Sequence, residues 1–368
     1  MSTLTSIRKF PKLAIYYISV SFGVFLVGFM LLRFPETASQ GISDGVDLSL
    51  GTLIPSLFPF MVLSTLITEL DILSKLPPFF DKISKAVFSL GTKSLGVIFL
   101  SLIGGLPLGC KMTSELYDSG SITRCEGRRM LIFCYCCGPA FSISSVGLYM
   151  LGSKEAGAII YISLILSALT VGILSRFFGE EDDHRQICKS DEQTKSFSVS
   201  LVHSVSTGSS AMLGVCSWVI LFSCINRLIE ILPISESFKL FFYSISEITN
   251  AVRYSAGAFP LPIIAGIIGF GGLCGHCQVI PYLIKLRLNY KYFLISRIIG
   301  ASLSVVYCDL ILRYYPVSYQ VFSIGTLPLK VNNDFSAVYS LSLLTTAGLF
   351  LLGDSAVFRI KAQKDHRL

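Results

Sequence analysis

Charge is what this chain has least of. Only 14% of its 368 residues are Asp, Glu, Lys or Arg, against about a quarter in an ordinary soluble domain. No basic cluster is interleaved with aromatics as a nucleic-acid surface requires, so no nucleic-acid partner is expected. Glycine-rich stretches fail the P-loop and dinucleotide fingerprints in both spacing and context. No nucleophile stands beside a base, and no enzyme is expected. Cys274-x-x-Cys277 with His276 lacks the second cysteine pair of a zinc knuckle, which argues against a metal. The eleven cysteines lie mostly within or beside apolar runs, where Cys is a small buried hydrophobe rather than part of a disulfide framework. Cys125 and Cys188, in polar connectors, are the exceptions.

What the chain has instead is long apolar runs. Hydrophobic residues make up 52% of it. Leu13 to Leu32, Leu48 to Thr68, Met130 to Ser153, Ala156 to Ser175 and Phe335 to Gly353 contain no Asp, Glu, Lys or Arg. Neither do Leu201 to Asn226 and Ser255 to Ile284, which each carry one histidine. Runs of about twenty residues match a hydrocarbon core of about 30 Å. A cleaved signal peptide would account for the first run alone. The expected fold class is an all-α polytopic membrane protein. Arg8, Lys9 and Lys12 precede the first run, and Arg359, Lys361, Lys364 and Arg367 follow the last. The positive-inside rule then puts both termini in the cytoplasm and requires an even number of crossings.

Along the chain, "RFPETASQGISDGVD" reads as a polar connector after the first helix. The next segment carries Pro55 and Pro59, and is either a kinked span or a hairpin turning back at the prolines. "LPPFFDKISKAVF" is amphipathic and suits the membrane interface. "YDSGSITRCEGRRM" reads as aqueous, and "RFFGEEDDHRQICKSDEQTKS" as the linker between two halves. Arg297 and Asp309 interrupt the apolar region Tyr292 to Leu312.

Two stretches, "IGGLPLGCKM" and "FGGLCGHCQVIPYL", repeat a pattern of Gly-Gly, cysteine and polar residue inside apolar sequence. Helix breaks at matching places in two halves point to a transporter's solute site. A break in lipid persists only when it is buried in protein or lines a wet cavity. Gly104, Gly105, Gly271 and Gly272 are therefore expected at the solute, with Gly275 beside them. His276 and Gln278 follow as polar contacts. Pro107, Gly138 and Pro139 are expected to gate or line the cavity. Lys111 and Glu115, one helical turn apart, form either a solvated pair or the charged lining of the cavity mouth. In "SEITNAVR", Glu247, Thr249 and Asn250 offer a carboxylate, a hydroxyl and an amide to a polar ligand. An intramembrane carboxylate is a functional candidate by default, the alternative being an interfacial pair with Arg253.

"GGLPLGCKMTSELYDSGSITRCEGRRMLIFCYCCGPAFSISSVG" resembles the signature of the nucleoside recognition, or gate, domain family. "EITNAV" and "FGGLCGHCQVIPYL" resemble the second-half motifs of its branch of sporulation integral membrane proteins of YlbJ type. The resemblance spans roughly residues 48–316. It implies two gate-like repeats, inverted, at 48–177 and 201–316, joined by a linker at 178–200. Outside them lie an N-terminal helix and connector, 1–47, and a C-terminal helix with a basic tail, 317–368. It also implies contact of Glu247 and Asn250 with a nucleoside-like solute, although "CYCCGP" has cysteines where many relatives carry asparagines. The implied function is secondary transport of a small polar solute in the membrane of a spore-forming bacterium. The alternative is a sporulation scaffold or signalling component. Expected partners are the bilayer, the solute with H+ or Na+ as coupling ion, and a second copy of the chain; no cofactor is expected.

Overall fold

The computed structural model describes residues 9–75, 77–177, 196–255 and 259–317, and its regular elements are helices. The sequence expectations for the C-terminal helix and basic tail, and for most of the linker, lie outside these residues. Among the described residues five helices are long and apolar enough to cross a membrane: Pro35–Glu69, Lys154–Ser175, Phe197–Glu230, Leu261–Lys285 and Tyr290–Tyr314. A bent pair, Phe79–Phe88 and Thr92–Gly104, makes a sixth if counted as one span. Helix α1, Lys9–Arg33, turns Phe22, Phe25 and Leu32 outward. Leu32 is 85% exposed within the chain, an arrangement that lipid covers and water would penalise.

The expected polar connector after α1 is instead helix α2, Pro35–Leu48. Pro35 stands in its first turn, where a missing N–H costs nothing. Gly41 and Gly45, four residues apart, form a small-residue seam with α9, Phe197–Glu230. A Cβ on either glycine would stand 2.7 Å from an α9 Cα, that of Cys224 or of Ile220. Asp44 accepts a bond from Arg227 Nε at 2.7 Å across the same seam. The helix runs on through a π-turn, Ser49–Leu53, into α3, Ile54–Glu69. Pro55 and Pro59 thus sit in one continuous span, Pro55 in the first turn just after the π-turn and Pro59 inside the helix.

The amphipathic segment forms α4, Pro78–Phe88, which meets α5, Thr92–Gly104, at 77°. Helix α6, Leu108–Asp118, folds back along α5. Lys93 at the start of α5 reaches Ser121 Oγ just past α6, at 3.3 Å. The arms have 13 and 11 residues, or about 20 and 16 Å, each shorter alone than a core of about 30 Å. Its tip is Gly104-Gly105-Leu106-Pro107.

The aqueous stretch supplies a capping box, Thr123 with Glu126, that starts α7, Arg124–Phe133. The chain then unwinds over Cys134 to Gly138 and continues through Pro139 as a π-helix, Ala140–Met150. Helix α8, Lys154–Ser175, returns. After the linker α9 crosses again, and a second hairpin follows. In it α10, Glu236–Ser246, and α11, Ile248–Ser255, stack Tyr243 on Tyr254 with ring centroids 4.4 Å apart. Helices α12, Leu261–Phe270, and α13, Gly272–Lys285, form a span broken at Gly271. Helix α14, Tyr290–Tyr314, runs uninterrupted through Arg297, which is buried and donates to Tyr135 O.

Contacts fix which helix ends lie together. Glu69 meets His203, Lys93 meets Asp71, Lys285 pairs with Asp118, and Arg128 Nε donates to Leu286 O at 2.9 Å. One end of the bundle therefore carries Lys82, Lys85, Lys93, Arg124, Arg128, Lys285 and Arg287. At the opposite end Arg227 pairs with Asp44, and Lys239 donates to Glu230 O at 2.9 Å. The first hairpin enters from the basic end and the second from the opposite end.

Candidate functional site

Both hairpin tips and both broken spans meet inside the bundle, and each tip packs on a break. A Cβ on Gly105, where φ is +81°, would stand 3.0 Å from Gly138 N. A Cβ on Gly272 would stand 3.3 Å from Ile248 N and Ser246 O. Glycine is required at these points because one backbone lies directly on another.

Between them lies a cavity of about 60 Å³, room for a few water molecules. Ser56 and Leu57 of α3, Leu106 of the first tip, and Cys137, Gly138 and Phe141 of the first broken span line one side. Glu247, Ile248 and Thr249 of the second tip, with Cys274, Gly275 and Gln278 of α13, line the other; Val215 and Val219 of α9 close it. The walls are mainly apolar with a few convergent polar groups, the usual character of a small-molecule site.

Glu247 is the charged residue of this lining and is 4% exposed. It sits at the tip between α10 and α11, and its carboxylate caps α11. Oε1 accepts from Thr249 N at 2.9 Å and Oε2 from Asn250 N at 2.8 Å. Two backbone N–H groups that the helix leaves unpaired are thereby satisfied, and the positive end of the helix dipole stabilises the negative charge. Among the described residues the carboxylate forms no ion pair, with Arg253 or any other cation. Each oxygen keeps acceptor capacity for a cation, a proton or a hydroxyl group.

The other sequence-selected residues divide into those at the cavity and those behind it. Thr249, Gln278, Gly138 and Gly275 line it with Glu247. Asn250 turns away, its Nδ2 donating to Ser223 Oγ of α9 at 3.4 Å. Gly104 packs on Leu108, while Pro107 opens α6 and its carbonyl accepts from Lys111 N at 3.1 Å. Pro139 leads into the π-helix. Lys111 is buried: Nζ donates to Thr65 Oγ1 of α3 at 2.6 Å and pairs with Glu115 Oε1 at 2.8 Å. That pair joins the first hairpin to α3 rather than standing free in water. Gly271, with φ +88°, turns the chain against the ring of Tyr135.

His276 lies behind the cavity. Its Nε2 is 2.9 Å from Phe270 O and its Nδ1 2.8 Å from Tyr290 Oη. A carbonyl only accepts, so Nε2 carries the proton and Nδ1 accepts from the tyrosine. Both ring nitrogens are thus engaged within the protein.

Residues that sequence reading passed over close the broken ends. Arg129 donates to Phe88 O and Ser89 O at the end of α4, the second at 3.2 Å. Arg297 donates to Ile132 O and to Tyr135 O, the latter at 2.7 Å. The Tyr135 hydroxyl donates to Gly271 O at 3.0 Å. Helix C-termini expose carbonyls and carry partial negative charge, which these cations answer. Arg297 had a signal in the sequence: a charge within an apolar run is rare and functional by default.

No family model matches this chain, and no solved structure matches it. The chain is distantly related to the sporulation integral membrane protein YlbJ of Bacillus subtilis (strain 168), with 21% identity over 332 residues, covering 79% of this chain and 81% of the relative.

Proposed function

We propose that this chain is a secondary transporter of a small polar, nucleoside-like solute, acting in endospore formation in the bacterial cell membrane. The observation that carries the reading is Glu247: a buried carboxylate, without an ion pair among the described residues, at a cavity where both hairpin tips meet both broken spans. Thr249 and Gln278 add a hydroxyl and an amide facing the same space. Together they suit a hydroxylated or ring-nitrogen solute, with H+ or Na+ neutralising the carboxylate. The cavity has room for a few waters, so in this reading it widens when the solute enters.

The same reading makes residues 48–177 and 201–316 two gate-like repeats of inverted topology. The supporting sequence of elements is hairpin, broken span, complete span in each part. In one the hairpin enters from the basic end and the spans are α7 with the π-helix, then α8. In the other it enters from the opposite end and the spans are α12 with α13, then α14. Glu247 is then the counterpart of the Gly104–Pro107 tip, and Gly271–Gly272 that of Cys134–Gly138. In this reading the correspondence runs between these elements rather than between the two Gly-Gly motifs. In this reading the basic end and both termini face the cytoplasm, as the positive-inside rule asks.

Uptake of labelled nucleosides and other polar solutes into proteoliposomes tests the reading, together with spore yield after expression in a Bacillus subtilis strain lacking YlbJ. Glu247→Gln is expected to abolish uptake and lower spore yield at unchanged protein level. A second reading, a membrane scaffold for sporulation, is favoured by the two backbone bonds that already engage the Glu247 carboxylate. Normal spore yield with Glu247→Gln, and no uptake across the solute panel, would decide for it.

A further inference from the structure

A broken span leaves carbonyl oxygens at the end of its first helix with no partner in that helix. Most proteins close such ends with neighbours close in sequence. Here Phe270 O at the end of α12 is met locally by His276 Nε2 at 2.9 Å, but each break also has a carbonyl closed from the other part of the chain. The end of α7 presents Ile132 O and Tyr135 O, and both accept from the guanidinium of Arg297, which belongs to α14. The end of α12 presents Phe270 O and Gly271 O; the second accepts from the Tyr135 hydroxyl.

Tyr135 therefore stands in both breaks at once. Its backbone carbonyl is part of the first, and its hydroxyl closes the second. Its ring fills the space that side chains at Gly271 and Gly275 would need. Arg297 lies over that ring at 4.9 Å from the centroid, and over Phe293 at 5.5 Å. Arg297 is 3% exposed and Tyr135 also 3%. Arg297 forms no ion pair among the described residues, so carbonyls and ring faces carry its charge.

We infer that Tyr135 and Arg297 form an interlock through which the two membrane breaks open and close together. Displacing the end of α7 withdraws the hydroxyl from Gly271. Displacing α12 removes the surface on which the Tyr135 ring rests and with it one face of the Arg297 site. A contact that must be present or absent in both breaks together is a two-state element that both sides bias. The interlock is independent of what the cavity binds, and stands or falls apart from the transport reading.

Amide hydrogen exchange of the full chain in lipid nanodiscs tests it. Tyr135→Phe removes one hydroxyl and keeps the ring. It is expected to speed exchange about tenfold at Gly272–Gly275, in the other part of the chain, and also at residues 134–138 of its own break, with α8 and α9 unchanged. Arg297→Met is expected to speed exchange at both breaks, and the double variant no more than Arg297→Met alone, since each substitution opens the same lock. Arg297→Lys keeps the charge but loses the fork to two carbonyls, and is expected to fall between the wild type and Arg297→Met. Effects confined to each residue's own break, or additive in the double variant, would overturn the interlock, as would a general rise in exchange across all helices. If both Arg297 variants fail to fold, Tyr135→Phe decides alone: faster exchange at both breaks supports the interlock, and a change at Gly272–Gly275 only overturns it.

Discussion

The two hairpin tips face the same difficulty with different chemistry. The first, Gly104 to Pro107, turns with no charged side chain, and its backbone lies against that of Gly138. The second turns at Glu247, whose carboxylate supplies the acceptors that the first turn of α11 needs. Close backbone packing solves the problem through shape, and a side-chain cap solves it through charge. The difference leaves one wall of the cavity inert and gives the other an ionisable group. It also separates the positions where size matters from those where charge matters.

Substitutions sharpen that contrast. The largest effect is expected on the side that depends on shape. Gly105→Ala and Gly271→Ala each place a Cβ at positive φ, against Gly138 or against the Tyr135 ring, and each should cost about 3 kcal/mol by thermal unfolding in detergent. An unchanged melting temperature would mean that the breaks relax freely. Next comes the buried pair of the first hairpin. Lys111→Met leaves Glu115 without its cation and should cost about 2 kcal/mol, with much of it recovered in Lys111→Met/Glu115→Gln. A cost near zero would return that pair to the solvated reading.

On the side that depends on charge, Glu247→Ala removes the cap of α11 and should cost about 1.5 kcal/mol. Glu247→Gln keeps an amide oxygen for one of those N–H groups and should cost about half as much. Equal losses would mean that the charge, rather than the acceptor geometry, holds the tip. The smallest effect is expected where the first hairpin meets α13 at the surface. Lys285 and Asp118 are 45% and 48% exposed, and Asp118→Asn should change stability by less than about 0.5 kcal/mol, with any effect fading in salt.

The spans were legible because apolar length survives any arrangement of neighbours. Lys154–Ser175 and Phe197–Glu230 closely match the runs read from sequence. The polar helix α2 was not legible, because Ser, Gly and Asp favour turns locally. Only contact with α9 shows why Gly41 and Gly45 belong in a helix. The breaks were visible as glycines and prolines, but their pairing was not, since nothing local says that Gly105 rests on Gly138 and Gly272 on Ile248. Sequence reading named Glu247, Thr249 and Gln278, which line the cavity. It also named His276, whose two ring nitrogens are engaged behind it. Polar character in an apolar run says that a partner exists, but not whether that partner is a ligand or the fold.

The seam between α2 and α9 bears on how such a bundle could move. Machinery that shifts needs a chassis, and a chassis must not creep. Two helices whose backbones approach until a single methyl group would separate them have no room to slide, and the Asp44–Arg227 pair pins their register. Any displacement of the hairpins must therefore be measured against these two helices. A probe fixed on α2 or α9 would give later distance measurements a stationary origin.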